Sequence, residues 1–77
     1  MQPVSRYEVI YTDKHGERKV IHRNFRRLKT AGGACASLAK AGAVKIAVMG
    51  FSGPADYEDM TRSWYFDAAT QQLKEER

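Results

Sequence analysis

Cysteine occurs once in this chain, at Cys35, so no internal disulfide can form. CxxC and CxxxH pairs are missing as well, which removes the usual zinc-ligand spacings and fits a reducing compartment. No apolar run approaches the roughly 18 residues of a membrane span. The opening MQPVSRYEV lacks the charged-then-apolar pattern of a secretory signal. A cytoplasmic protein that inserts in no membrane, with no metal and no cofactor, is the expectation. GxxxxGKS/T is also absent, so Gly32 and Gly33 are read as close-packing glycines and not as a phosphate loop.

What remains is an ordinary globular composition. The 77 residues are 43% hydrophobic and 29% charged, well away from the regime of disordered chains. That length holds one domain, residues 1–77, with one modest core.

RYEVIYT, Arg6 to Thr12, alternates Tyr7, Val9 and Tyr11 with Glu8, Ile10 and Thr12, the two-residue period of a half-buried strand. In the Asp13-Lys14-His15-Gly16 turn, the aspartate can bond its own downstream backbone and Gly16 accepts a positive φ. A second strand from Glu17 to about Arg23 must then pair antiparallel as a hairpin. Adjacent Val20 and Ile21 face opposite ways, which leaves its inner face undecided.

LKTAGGACASLAKAGA repeats Leu28, Ala31, Cys35, Leu38 and Gly42 at steps of three and four, a helical face of small residues that Gly42 can stop. Ala43 to Met49 alternates again as a third strand. FSGPADYED is expected as a loop broken at Gly53-Pro54, and Thr61 to Phe66 as a fourth strand with Trp64 and Phe66 on one face and Tyr65 on the other. In the tail, Asp67 could cap a short helix, or Asp67 to Thr70 could turn into a fifth strand at Gln71 to Leu73. The fold class is therefore α+β: a mostly antiparallel sheet of four strands, five on the second reading of the tail, in the order β-β-α-β-β with one helix packed on one face. The other face must meet water or a partner, so monomer and homodimer are both open.

Charge is distributed unevenly. Between Lys14 and Lys29 seven basic residues stand against Glu17 alone, a local +6 in a chain of net +4, so the remainder sums to −2. Asp56, Glu58 and Asp59 form a compact acidic segment. HRNFRRLK, His22 to Lys29, holds four fixed positive charges in eight positions. In a first helical turn Arg26, Arg27 and Lys29 would each oppose the helix dipole by about 0.3–1 kcal/mol at low salt. The helix starts later, capped by Thr30, or an anionic surface docks where helix amides and guanidiniums point together, or the run is simply a solvated face of a basic protein. The partner-binding set is then Arg18, Lys19, Arg23, Arg26, Arg27 and Lys29. A protein or nucleoprotein complex is the first expectation for the partner, because poles of both signs favour oriented association. Nucleic acid is the second, with Tyr7, Tyr11, Trp64 and Tyr65 as candidate base-stacking rings, although no RNP-like KGFGFV string is present.

No catalytic residues are assigned. Cys35 lies on the apolar helix face, nothing in the spacing brings His15 or His22 to it, and the acids share one loop.

YEVIYTDKHGE, then AGGACASLAKAGAVKIAV, then an aromatic last strand resemble, in size, element order and composition, the small β-β-α-β-β proteins of bacteriophages and mobile elements, a plan some anti-CRISPR proteins share. The resemblance implies a stoichiometric inhibitor that binds a defence complex in the cytoplasm of a bacterial host and blocks its nucleic-acid path or moving parts. It carries no residue-level motif.

Overall fold

A computed structural model describes residues 4–53 and 59–76, without the side chains of residues 22–24, 59 and 61. Six elements follow one another: β1 (Arg6–Thr12), β2 (Arg18–Phe25), α1 (Leu28–Lys40), β3 (Val44–Ser52), β4 (Asp59–Asp67) and β5 (Gln72–Glu75). The strands form one antiparallel sheet in the order β2-β1-β3-β4-β5. Because β1 runs antiparallel to both β2 and β3, those two are parallel to each other, and α1 makes the crossover between them.

Antiparallel partners share a face, so the register sorts the side chains. Ile21, Val9, Val48 and Trp64 stand in one row across four strands. This row lies beneath α1, whose Ala31 and Cys35 are fully buried against it. Phe25 and Ile46 complete the buried core, with Tyr7, Tyr11, Leu28, Leu38 and Phe66 packed around it. The opposite row, Val20, Ile10, Ala47, Tyr65 and Lys74, lies on the face that the helix leaves open. Val20 and Tyr65 are each 42% exposed there, which decides the question that the Val20–Ile21 pair leaves open: Ile21 is the inward residue.

The turns close as their residues dictate. Oδ1 of Asp13 accepts the backbone N–H of His15 and of Glu17, both at 2.9 Å, while Gly16 takes φ +85°. These amides, the Glu17 bond first, hold the Asp13 carboxyl below its ordinary pKa. At the end of α1 the Gly42 N–H donates to Ala39 O (3.1 Å) and the Ala43 N–H to Leu38 O (3.0 Å), with Gly42 at φ +96°. That paired closure is the Schellman motif, and glycine supplies its left-handed residue without a Cβ penalty.

The structure lengthens one strand beyond the sequence reading and closes two alternatives that the reading leaves open. β3 runs on to Ser52, so Phe51 and Ser52 belong to a strand and not to the following loop. The inward positions there are Gly50 and Ser52, so the buried alternation continues without a large apolar residue to mark it, and the extra residue at the Gly50–Phe51 register shift lies on β4, between Met60 and Arg62. Helix α1 begins at Leu28 with Arg27 as its N-cap, so Thr30 is inside the helix and caps nothing. The tail forms strand β5, in which Leu73 pairs with Phe66 on the helix side of the sheet.

Candidate functional site

Phe25 is 4% exposed at the end of β2, and Leu28 packs on the core from the first turn of α1. Two apolar anchors therefore pin the strand-to-helix bend, and Arg26 and Arg27 between them are left exposed. Arg27 has extended backbone (φ −128°, ψ 139°) and makes no side-chain capping bond. Lys29 is exposed in the first turn, where no acidic residue stands. Among the described residues none forms an ion pair with Arg26, Arg27 or Lys29. The helix amides and these three cations thus present one sign of charge to solvent.

The other expected cations lie elsewhere. Arg18 and Lys19 begin β2, a strand that spans roughly 23 Å to Phe25. Lys19 is held by Asp13 (Nζ to Oδ2 3.3 Å), a contact that raises the lysine pKa. Arg18 pairs with Thr12 and lines a pocket with Ile10, Gly16 and Lys45. Lys45 takes φ +53° beside the irregularity in the β1–β3 ladder. The side chain of Arg23, and the acidic Asp56, Glu58 and Asp59 side chains, lie outside the described residues. The basic run is therefore two sites: the bend with Arg26, Arg27 and Lys29, and the hairpin end with Arg18 and a neutralised Lys19.

Beside the bend lies a feature that the sequence reading does not anticipate. Helix α1 rests mainly over β1 and β3 and reaches β4 only lightly. A groove of about 610 Å³ opens between the helix and the β4–β5 hairpin, with Phe66 and Leu73 in its lining opposite Leu28, Lys29, Gly32, Gly33 and Ala36. Leu73 is the signal: as the one large apolar residue of the tail it has no apolar neighbour there to pack on, yet it meets the helix. Its Cδ1 would lie 3.4 Å from a Cβ added to Gly32, whereas a Cβ on Gly33 would meet nothing within 4 Å.

The aromatic residues divide unevenly. Tyr7, Tyr11 and Trp64 lie on the helix side, with the rings of Tyr7 and Trp64 5.6 Å apart and tilted at 56°. Arg62 lies over Trp64 at 4.9 Å and makes a two-pronged ion pair with Glu75 (2.9 and 2.6 Å), which covers the ring beyond the helix. On the open face Tyr65 is exposed, and Phe51 lies beneath the Arg6 guanidinium at 4.3 Å. An array of four stacking rings on one face is therefore not formed.

Cys35 is fully buried, and burial pushes its thiol up to about 11, so it is protonated at neutral pH. His15 is exposed in the hairpin turn, apart from it. The His22 side chain lies outside the described residues. Among the described residues no three of His, Cys, Asp and Glu are grouped to hold a metal ion, and no helix is long and apolar enough to cross a membrane. Comparison with protein-family models, curated proteins and solved structures yields no match.

Proposed function

We propose that the chain is a non-enzymatic binding module that acts by occupying the surface of a macromolecular partner through its cationic strand-to-helix bend. The observation that carries this reading is the arrangement of Arg26, Arg27 and Lys29: exposed, fixed between two apolar anchors, set against the helix dipole and free of acidic partners among the described residues. Local stability gives no reason for such charges, and an anionic partner surface does. The protonated, buried Cys35 offers no nucleophile, which supports a role without catalysis.

The most specific form of the proposal is the one that the phage-protein resemblance implies: inhibition of a bacterial defence nucleoprotein complex in the cytoplasm by steric occupation. The second reading is direct nucleic-acid binding, favoured by further exposed cations at the hairpin end, Arg18 and Lys45, and by a sequence pI near 9.5. The first reading requires a partner retained from bacterial lysate after nuclease treatment and lost on Arg26→Gln with Arg27→Gln and Lys29→Gln. Capture that nuclease abolishes, together with binding to free DNA or RNA that falls steeply with salt, would replace it with the second.

A further inference from the structure

Resting on the binding-module reading, we propose that the groove between α1 and the β4–β5 hairpin receives an apolar side chain from an acidic protein segment, whose carboxylates lie against Lys29, Arg27 and Arg26. Lys29 belongs to both features: it lines the groove and stands in the same exposed cationic bend as the two arginines. Apolar anchorage and positive charge are thus contiguous, the complement of a Leu or Phe flanked by Asp and Glu.

Of the two glycines that keep the groove open, one has a packing reason and the other has none. Gly32 sits against Leu73, so its missing side chain serves helix-to-strand packing. Among the described residues nothing stands where a Cβ of Gly33 would lie, and their packing does not explain a glycine in mid-helix. An occupant drawn close to the helix backbone does explain it. Phe66 and Leu73 are only half-buried in the groove, so a guest side chain would remove apolar surface from water on both sides.

Two observations select a polypeptide over a nucleic acid. The described lining has one aromatic ring, Phe66, with aliphatic and glycine positions beside it and Lys29, Gln71 and Gln72 at polar positions, which suits a single apolar side chain on a hydrogen-bonding backbone better than a stack of bases. Strand β5 is at the edge of the sheet, where an extended polypeptide can use the free backbone groups.

The test is an amide chemical-shift titration of the full chain with three probes: the peptides Asp-Glu-Leu-Phe-Glu-Asp and Asp-Glu-Ala-Ala-Glu-Asp, and a six-nucleotide oligothymidylate. The Leu-Phe peptide is expected to move the amides of Gly32, Gly33, Phe66 and Leu73 and to bind roughly ten-fold or more tightly than the Ala-Ala peptide. Gly33→Val, with the spectrum otherwise retained, is expected to abolish that difference; Ala36→Leu serves if Gly33→Val does not fold. Equal binding of the two peptides, shifts confined to open-face residues such as Val20 and Tyr65, or groove shifts with the oligonucleotide alone would overturn the inference. If no probe enters the groove while the Arg26→Gln, Arg27→Gln, Lys29→Gln variant still loses its partner from lysate, the groove proposal fails and the binding-module reading stands.

Discussion

Trp64 lies across the backbone of Gly50: a Cβ added to Gly50 would stand 3.0 Å from Cζ3 and 3.2 Å from Cη2 of the indole. The ring is 4% exposed and is held by Tyr7 at 5.6 Å and by Arg62 above it. It has little room to retreat, and Val4 Cγ1 at 3.2 Å blocks relief from another direction. Gly50→Ala is therefore expected to destabilise the fold by about 1–3 kcal/mol, the usual range for overpacking. Urea unfolding followed by the fluorescence of Trp64, the chain's one tryptophan, measures it directly. An unchanged midpoint would mean that the indole is free to move.

Cys35 gives the chain a pH dependence at the alkaline end. Burial raises its thiol from 9.0 to about 11, so the native state holds the proton more tightly than the unfolded state. The contribution is fully present below pH 9 and is lost as pH rises toward 11, by roughly 2–3 kcal/mol in all. Tyrosines and lysines titrate in the same range, so the comparison is with Cys35→Ala, whose stability should fall less steeply from pH 9 to 11. Parallel curves for the two proteins would show that the thiol is open to solvent.

How far these features could be read in advance depends on the range over which each is encoded. Strand β1, the Asp13 turn and the Gly42 helix stop are local, set by an alternation, a carboxylate two residues from its amide and a glycine at a left-handed position; all three stand where their residues place them. The full length of β3 is masked because its last inward positions are Gly50 and Ser52, so the two-residue period continues in burial but not in large apolar side chains. The cationic run is continuous from Lys14 to Lys29 in sequence, but an extended strand carries Arg18 far from Arg26 and turns Lys19 to Asp13. The groove is the least legible feature. It arises from where one helix lies off-centre on a five-stranded sheet, and the sequence marks it only through Leu73 and the pair Gly32–Gly33.

Lys29 is the sharpest test of a charge kept for binding. It stands in the first turn of α1, which contains no acidic residue, so Lys29→Glu exchanges a repelled charge for an attracted one at the helix N-terminus. Stability should rise by about 0.3–1 kcal/mol at low salt, an effect that added salt screens. Partner capture should weaken in the same variant. A loss of stability would mean that the lysine serves the fold and would remove the argument that local energetics disfavour it.

Gly33→Ala separates the fold from its use in the opposite manner, without touching charge. Glycine in a helix interior costs about 0.8–1.0 kcal/mol relative to alanine, and here the added methyl meets nothing within 4 Å. The variant is expected to gain about that much in urea unfolding with an unchanged slope, the mark of a stability change without altered compactness. Gly32→Ala is the control, because its Cβ would come within 3.4 Å of Leu73 Cδ1 and must displace that side chain to realise the same gain. A gain at Gly33 exceeding that at Gly32 places Leu73 against the helix as described. Equal gains at the two positions would mean that β5 and its leucine stand away from α1 in solution, leaving the groove without one of its walls.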